Sequence, residues 1–406
     1  MSSFDTVETA IDVRPRHLGG RVLRALAPDP VCGSLRIVTP GGERVEFRGP
    51  MPGPEAVLVI KRWRAVWRLL RGGEIGFAEA FMDGDWTTPD LAQLLEWALR
   101  NEKKASLYRG HPGARLARRL AHGLRANTRR GSRRNIAAHY DLGNDFYKLW
   151  LDPSMSYSSA VYAAPGDTLE QAQQRKLDRI VALLDDPDGM NVLEIGFGWG
   201  GVLERLIGAH RCRMTGLTLS TEQLAFSRAR LDRLGLTADA DLRLQDYRDV
   251  DGQFDRIVSI EMLEAVGERY WPVYFEKLRA SLKPGGVCVL QVITIDEERF
   301  ADYRANPDFI QAYIFPGGIL PTKTAVHHEA NAAGLDVTAE ENFGVSYART
   351  LQAWRERFLE RTSDITALGL DEKFQRMWEF YLAYCEAGFA CGAVDVSLFQ
   401  LRAPSR

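Results

Sequence analysis

Val192-Leu-Glu-Ile-Gly-Phe-Gly-Trp-Gly-Gly201 decides the fold of this chain. An apolar run closes on an acid, glycines follow at 196, 198, 200 and 201, and a helical pattern, Leu203-Glu-Arg-Leu-Ile207, begins directly behind them. Strand, glycine turn and helix in this order open a nucleotide-binding α/β domain. Glycine reaches positive φ without steric cost and lets backbone amides approach a ligand, and the helix N-terminus behind it adds a favourable dipole.

The glycine spacing alone fits two cofactor classes. Gly196, Gly198 and Gly201 satisfy G-x-G-x-x-G, but the dinucleotide form also needs an acid about 20 residues on, at the end of the second strand. That region reads Met214-Thr-Gly-Leu-Thr-Leu-Ser220 and holds no carboxylate. Glu194, two residues before the first glycine, instead fits the E/D-x-G-x-G-x-G loop of S-adenosylmethionine (SAM) methyltransferases. SAM is the expected cofactor.

With 406 residues the chain has room for two or more domains, and a net charge of −2 gives no global field that would draw nucleic acid. Charge is unevenly placed: Lys103 to Arg134 contains eleven Lys and Arg and no Asp or Glu. Such a run reads as a solvated linker or as a contact for phosphate-rich surfaces. No window approaches the ~18 apolar residues of a membrane span, and no N-terminal signal pattern is present. The expectation is a cytoplasmic protein that touches the inner face of the membrane peripherally. Five cysteines without C-x-x-C spacing predict reduced thiols, with neither a disulfide framework nor a metal site.

Residues 33–47 alternate around Pro-Gly-Gly as a β-hairpin, and 56–60 form a further strand. Helical patterns follow at 62–70, 76–82 and 91–99. These predict a small N-terminal α+β domain over 1–102, a basic linker over 103–134 and a Rossmann-like α/β catalytic domain over 135–406. Strands are expected at 192–195, 213–217, 242–245, 256–260 and 287–293, and helices at 171–184 and 221–234. Ser220-Thr-Glu-Gln223 reads as a capping box. After Ile295 the pattern loosens into loops rich in aromatic residues, then helices at 347–358 and 373–389.

The flanking stretches narrow the chemistry. His139-Tyr-Asp-Leu-Gly-Asn-Asp-Phe-Tyr147 and Trp150-Leu-Asp-Pro-Ser-Met-Ser-Tyr-Ser-Ser159 precede the glycine loop; Ser259-Ile-Glu-Met-Leu-Glu-Ala-Val-Gly267, Tyr313-Ile-Phe-Pro-Gly-Gly318 and Tyr384-Cys-Glu-Ala-Gly-Phe389 follow it. In these motifs residues 135–400 resemble the cyclopropane-fatty-acid synthase family, which includes the mycolic-acid methyltransferases. The N-terminal 100 residues resemble, more loosely, the lipid-binding-like extension of the bacterial phospholipid enzymes. The resemblance implies a cofactor site of Tyr157, Ser158, Glu194, Gly196, Gly198, Gly200, Thr218, Leu219, Ser220, Gln223 and Asp246. It also implies a bicarbonate ion as catalytic base, held by Glu264, Tyr347 and backbone near Ile293. A family cysteine falls on Ser159 and a family histidine on Gln291; a hydroxyl and an amide can still hold an anion, but neither supplies an imidazole. Cys385 matches a cysteine assigned to the family's active site, but alkene methylation has no obvious need of a thiol and a packing role explains it better.

An alkene is a poor nucleophile, and its methylation leaves a carbocation on the chain. The enzyme must exclude water, present aromatic faces to the cation and supply a base. Tyr140, Phe146, Tyr147, Trp150, Tyr157, Tyr270, Trp271, Tyr313, Phe315 and Tyr347 are candidates for such an apolar tunnel. The expected function is SAM-dependent methylene transfer to the cis double bond of phospholipid acyl chains, giving cyclopropane fatty acids at an anionic membrane surface. The alternatives are C-methylation giving a methyl-branched or methylated unsaturated chain, and a catalytically degenerate lipid-binding protein. RNA methylation lacks any RNA-reading motif, so no nucleic-acid partner is expected. A homodimer also stands among the expectations.

Overall fold

In the computed structural model the described residues are 29–102 and 142–405, with Arg21, Leu23, Arg24 and Gly113. Apart from Gly113 the basic segment 103–134 lies outside them, as do His139 and Tyr140. The chain divides into two compact units, Met1–His111 and Pro112–Arg406.

In the first unit the predicted hairpin is β1 (Cys32–Val38) paired antiparallel with β2 (Arg44–Arg48). β3 (Met51–Ile60) runs parallel to β1 on its other side. The two helical patches expected after it are one helix, α1 (Arg64–Met82), broken at Gly73 where φ is 60°. A short β4 (Trp86–Thr87) completes the sheet in the order β2-β1-β3-β4. Asp90 caps α2 (Leu91–Asn101), its side chain accepting from the Gln93 amide. At the far end of α2 the buried Asn101 carboxamide accepts from the Val31 and Cys32 amides, which ties the helix to β1.

The second unit opens with α3 (Asn144–Lys148) and α4 (Leu169–Leu183). Thr168 and Gln171 form a full capping box at the start of α4. Then come β5 (Asn191–Ile195), α5 (Gly201–His210), β6 (Arg213–Thr218), α6 (Thr221–Arg233), β7 (Ala240–Leu244) and β8 (Phe254–Ile260). They are followed by α7 (Trp271–Ser281) and β9 (Leu282–Ile295). All five predicted strands form: β5, β6 and β8 lie within two residues of the expected bounds, β7 is displaced toward its start, and β9 is longer at both ends. The Ser220 cap is only half a capping box. Its hydroxyl accepts from the Gln223 amide, but the Gln223 side chain turns to Thr218 Oγ1, 2.8 Å away.

Beyond Ile295 the expectation of loops fails. The segment contains α8 (Glu297–Ala305), a π-helical turn at Ile310–Ile314, α9 (Lys323–Ala332) and β10 (Asp336–Asn342). Helices α10 (Gly344–Glu360), α11 (Thr362–Ala367) and α12 (Glu372–Ala390) lead to β11 (Val394–Arg402). β11 pairs antiparallel with β9 along its whole length and with β10 on its other side. β10 is an edge strand carrying acids, as edges commonly do, and this hides its pattern.

The seven strands lie in the order β10-β11-β9-β8-β5-β6-β7, with β9, β8, β5, β6 and β7 mutually parallel. Strands buried on both faces send alternate residues to opposite cores. Leu193 and Ile195 join Ile257, Leu290, Trp271 and Phe275 on one face. Val192 joins Val258, Val289, Leu177 and Ile180 of α4 on the other. Chain order reverses between β5 and β8, so the crevice at their carboxyl ends is the place where such sheets gather ligands. Among the described residues no helix is long and apolar enough to cross a membrane.

Phe275 is fully buried in the first of these cores. Phe275→Ala is expected to lower unfolding free energy by about 3–5 kcal/mol, read from denaturant melts.

Candidate active site

The glycine loop leaves β5 at this crevice. Gly196 has φ +81° and a Cβ there would lie 2.5 Å from Met262 Cγ, so no other residue fits without displacing Met262. Gly198, also at positive φ, faces open space where a Cβ would meet nothing within 4 Å. Glu194, on the same face of β5 as Val192, is buried, and its Oε2 has no hydrogen-bond partner. Burial pushes its carboxyl up to about 8, with the Lys176 ammonium opposing the shift. Open backbone at a helix N-terminus beside an unsatisfied buried acid fits a ligand with a cationic amino acid part and polar hydroxyls, as SAM has. Around this loop, Thr218 ends β6 and bonds Gln223, Ser220 caps α6, and Leu219 is half-buried between them. Asp246 lies just beyond β7, paired bidentately with Arg248 at 2.6 and 2.8 Å.

The segment before α4 runs alongside. Tyr157 shares a hydrogen bond of 2.8 Å with Tyr381 of α12. Ser158 Oγ accepts from Lys176 Nζ at 2.8 Å, and the Ser158 carbonyl accepts from Gln173 Nε2. The Ser159 hydroxyl donates to the Ala160 carbonyl, so it does not serve as an anion ligand; the donor toward the site is the Ser159 backbone amide.

That amide leads to a residue that the motifs left unassigned. Glu261 follows β8 directly, with φ +51°, a conformation costly for a non-glycine residue. Its Oε1 accepts from Ser159 N at 2.9 Å and Gln291 Nε2 at 2.7 Å, and its Oε2 accepts from Tyr347 Oη at 2.7 Å. Tyr347 therefore serves Glu261 and not Glu264. Glu264 Oε1 accepts from the Ile293 amide, while its Oε2 has no partner. The set expected to surround one ion is thus divided between two carboxylates.

The two acids are pushed apart electrically. Burial raises both. At Glu261 three donors and Lys176 pull back toward the charged form. At Glu264 the Glu261 charge adds to burial and carries the carboxyl to about 8, leaving it protonated near neutrality. Both carboxyls are raised, and Glu261 is the one with donors and a nearby ammonium that favour its charged form. Cys385 is raised well above the usual thiol value by burial, then by Asp308 and Glu261, which disfavours the thiolate.

The aromatic candidates separate into groups. Phe146, Tyr147, Trp150 and Tyr157 pack with Trp199, Trp354 and Trp378, and Tyr347 joins through Trp354 and stacks on Phe389 at 4.4 Å. Phe315 reaches Tyr381, and Tyr313 stacks on Phe309. Tyr270 and Trp271 belong to the core on the far sheet face and line no shared wall with the rest. Among the described residues no group of three or more His, Cys, Asp or Glu could hold a metal ion.

Sequence reasoning missed Glu261 and Lys176, though both left signals. Glu261 is the first acid after β8, at the switch crevice, and sits three residues before Glu264. Lys176 and Gln173 stand in the apolar stripe Leu169, Ala172, Leu177, Ile180, Leu183 of α4, where a polar residue is buried.

A parallel sheet reversing at β5 and β8, with a glycine loop and an acid at its mouth, makes this a SAM-dependent methyltransferase. The chain belongs to the mycolic acid cyclopropane synthetase family, whose model matches residues 127–399. It is 41% identical over 355 residues to the tuberculostearic acid methyltransferase UfaA1 of Mycobacterium tuberculosis, covering 82% of this chain and 80% of that one. It is 37% identical to the cyclopropane-fatty-acyl-phospholipid synthase of Escherichia coli K12, covering 82% and 84%. The mycolic acid cyclopropane synthase CmaA1, solved with S-adenosylhomocysteine and CTAB, superposes with a TM-score of 0.63 at 31% identity, over 66% of this chain and 98% of that one. The reaction is accordingly SAM-dependent methylation or cyclopropanation of unsaturated fatty acyl chains.

A carboxyl raised in the folded state favours folding below its unfolded value and loses that advantage as pH rises through its folded value. For Glu264 the window runs from its ordinary 4.5 to about 8. Glu264→Gln, which keeps the acceptor for Ile293, is expected to raise Tm relative to the parent by roughly 2–4 °C at pH 8 and not at pH 4.5, measured by scanning calorimetry.

Proposed function

We propose that this enzyme methylates the double bond of unsaturated phospholipid acyl chains with Glu261 as the base, giving an open-chain methylated alkene and no ring. The observation that carries the reading is the Glu261 carboxylate held by Ser159 N, Gln291 and Tyr347. Those donors, with the Ile293 amide committed to Glu264, are the ones a bicarbonate would need.

Glu194, the 196–200 loop, Thr218, Ser220 and Gln223 would hold SAM, which supplies an electrophilic methyl group when bound. The alkene π pair forms the new carbon–carbon bond as the carbon–sulfur bond breaks, leaving a cation on the adjacent chain carbon. The faces of Tyr157, Trp354 and Tyr347 stabilise that cation and keep water away. Glu261 then takes one proton, and the electrons of the broken C–H bond quench the cation. A hydride shift before this step moves the cation to the methylated carbon, and loss of a proton from the new methyl group or from a neighbouring chain carbon leaves an alkene. Burial raises the basicity of Glu261, which suits it to the task. A base tethered to the backbone cannot reposition itself as a free ion can. The higher identity to a relative named as a methyltransferase supports the open-chain outcome.

Glu261→Gln is expected to slow single-turnover methyl transfer about 10³-fold, while parent activity is indifferent to removal of bicarbonate from the buffer. A bicarbonate-dependent parent enzyme would overturn the assignment. NMR of the product separates olefinic from cyclopropyl protons, and a ring product returns the enzyme to the synthases.

The lipid surface is supported by the first unit. Trp63, at the N-cap of α1, and Trp67, one turn on, are 40% and 73% exposed, beside Lys61, Arg71 and the Arg62, Arg64 and Arg68 side chains that pair with Asp85. Tryptophan with arginine suits a headgroup interface. Replacing both tryptophans by Ala is expected to weaken binding to phosphatidylglycerol vesicles about tenfold in flotation assays, with methyl transfer to detergent-dispersed substrate unchanged.

A further inference from the structure

Lys176 lies at the middle of α4 and is 2% exposed. Few environments are less suited to an ammonium, and such a group persists only when paired. Its Nζ donates to Ser158 Oγ, and its charge faces Glu261, Asp152 and Glu194. One helix turn earlier Gln173 Nε2 donates to the Ser158 carbonyl, so α4 grips the same residue from two sides. The next amide along, Ser159 N, donates to Glu261. A continuous connection therefore runs from α4 through Ser158 to the carboxylate, alongside the acid of the glycine loop.

We propose that Lys176 is a positioning residue, the resident counter-charge that keeps Glu261 ionised and fixes the Tyr157–Ser159 segment between the cofactor loop and the base. The inference rests on the reading of Glu261 as base. The groups facing Glu261 are Lys176 from α4, Glu264 from its own loop, Gln291 from β9, Tyr347 from α10 and Cys385 from α12. Of these Lys176 alone is cationic. Burial lowers its own ammonium to about 8, with Glu261, Asp152 and Glu194 opposing the fall. The countering charge is thus lost as pH rises through that value.

The test is the pH profile of single-turnover methyl transfer in the full chain, with S-adenosylhomocysteine affinity measured in parallel. Lys176→Met is expected to move the acidic limb upward by about one unit or more, cutting the rate near neutrality about tenfold and restoring it at higher pH. Lys176→Arg, which keeps the charge, is expected to leave the limb near its parent position. Rates are taken at saturating SAM, so that a change in cofactor affinity transmitted through Glu194 or Ser158 does not itself move the limb. Ser158→Ala, which removes the hydrogen bond and keeps the ammonium, is the second variant should Lys176→Met fold poorly, and it should move the limb in the same direction by less. A folded Lys176→Met enzyme with an unmoved limb, or a Ser158→Ala enzyme with one, overturns the proposal. Glu261→Gln separates the two levels: if it keeps the parent rate the base itself is misassigned, whereas if it is inactive an unmoved limb condemns Lys176 alone.

Discussion

A carboxylate withdrawn from water is tolerable only where hydrogen-bond donors replace its hydration. At Glu261 these donors come from three places far apart in sequence: the amide of Ser159, the carboxamide of Gln291 on β9 and the phenol of Tyr347 on α10. The segment before α4, the sheet and the C-terminal helices are thereby fixed to one another at the crevice where β5 and β8 part. Each donor also has its own anchor: Ser159 through its neighbour Ser158 on Lys176, Gln291 in the 14-residue β9, Tyr347 stacked on Phe389.

The aromatic packing follows from the same arrangement. α10 and α12 bring Trp354, Phe358, Trp378 and Tyr381 against Phe146, Tyr147 and Trp150, all of them buried. A wall of this kind is apolar enough to exclude water and rich enough in π density to face a cation. It also strengthens the electrostatics of the two acids, since a low local dielectric magnifies each charge.

The nucleotide-binding half was readable because its signals are local. β5, the glycine loop and the helix behind it occupy consecutive residues, and β6 and β8 are short apolar runs with clear ends. The C-terminal half was less so. β10 carries acids at positions where alternation would have revealed it, while β11 was a legible apolar run masked by its place after a helix. The structure brings Glu264, Gln291 and Tyr347 together at the crevice, but their partners could not be read. Whether Tyr347 serves one glutamate or its neighbour three residues on depends on a left-handed backbone at Glu261, which no residue type announces. The Ser159 hydroxyl was misjudged for a similar reason: it is satisfied by the adjacent carbonyl.

The pairing of β11 with β9 bears on how the enzyme comes into being. Gln291 and Ile293 sit on β9 opposite Leu398 and Val396. Their strand lacks its antiparallel neighbour until residues 394–402 have been synthesised. The glycine loop and the strands beside it, β5 and β6, are complete by residue 218, whereas the strand that covers Gln291 and Ile293 comes last in the chain. Gln291 and Ile293 are therefore covered on that side only in the completed domain, where the last strand seals the edge of the sheet that carries the site.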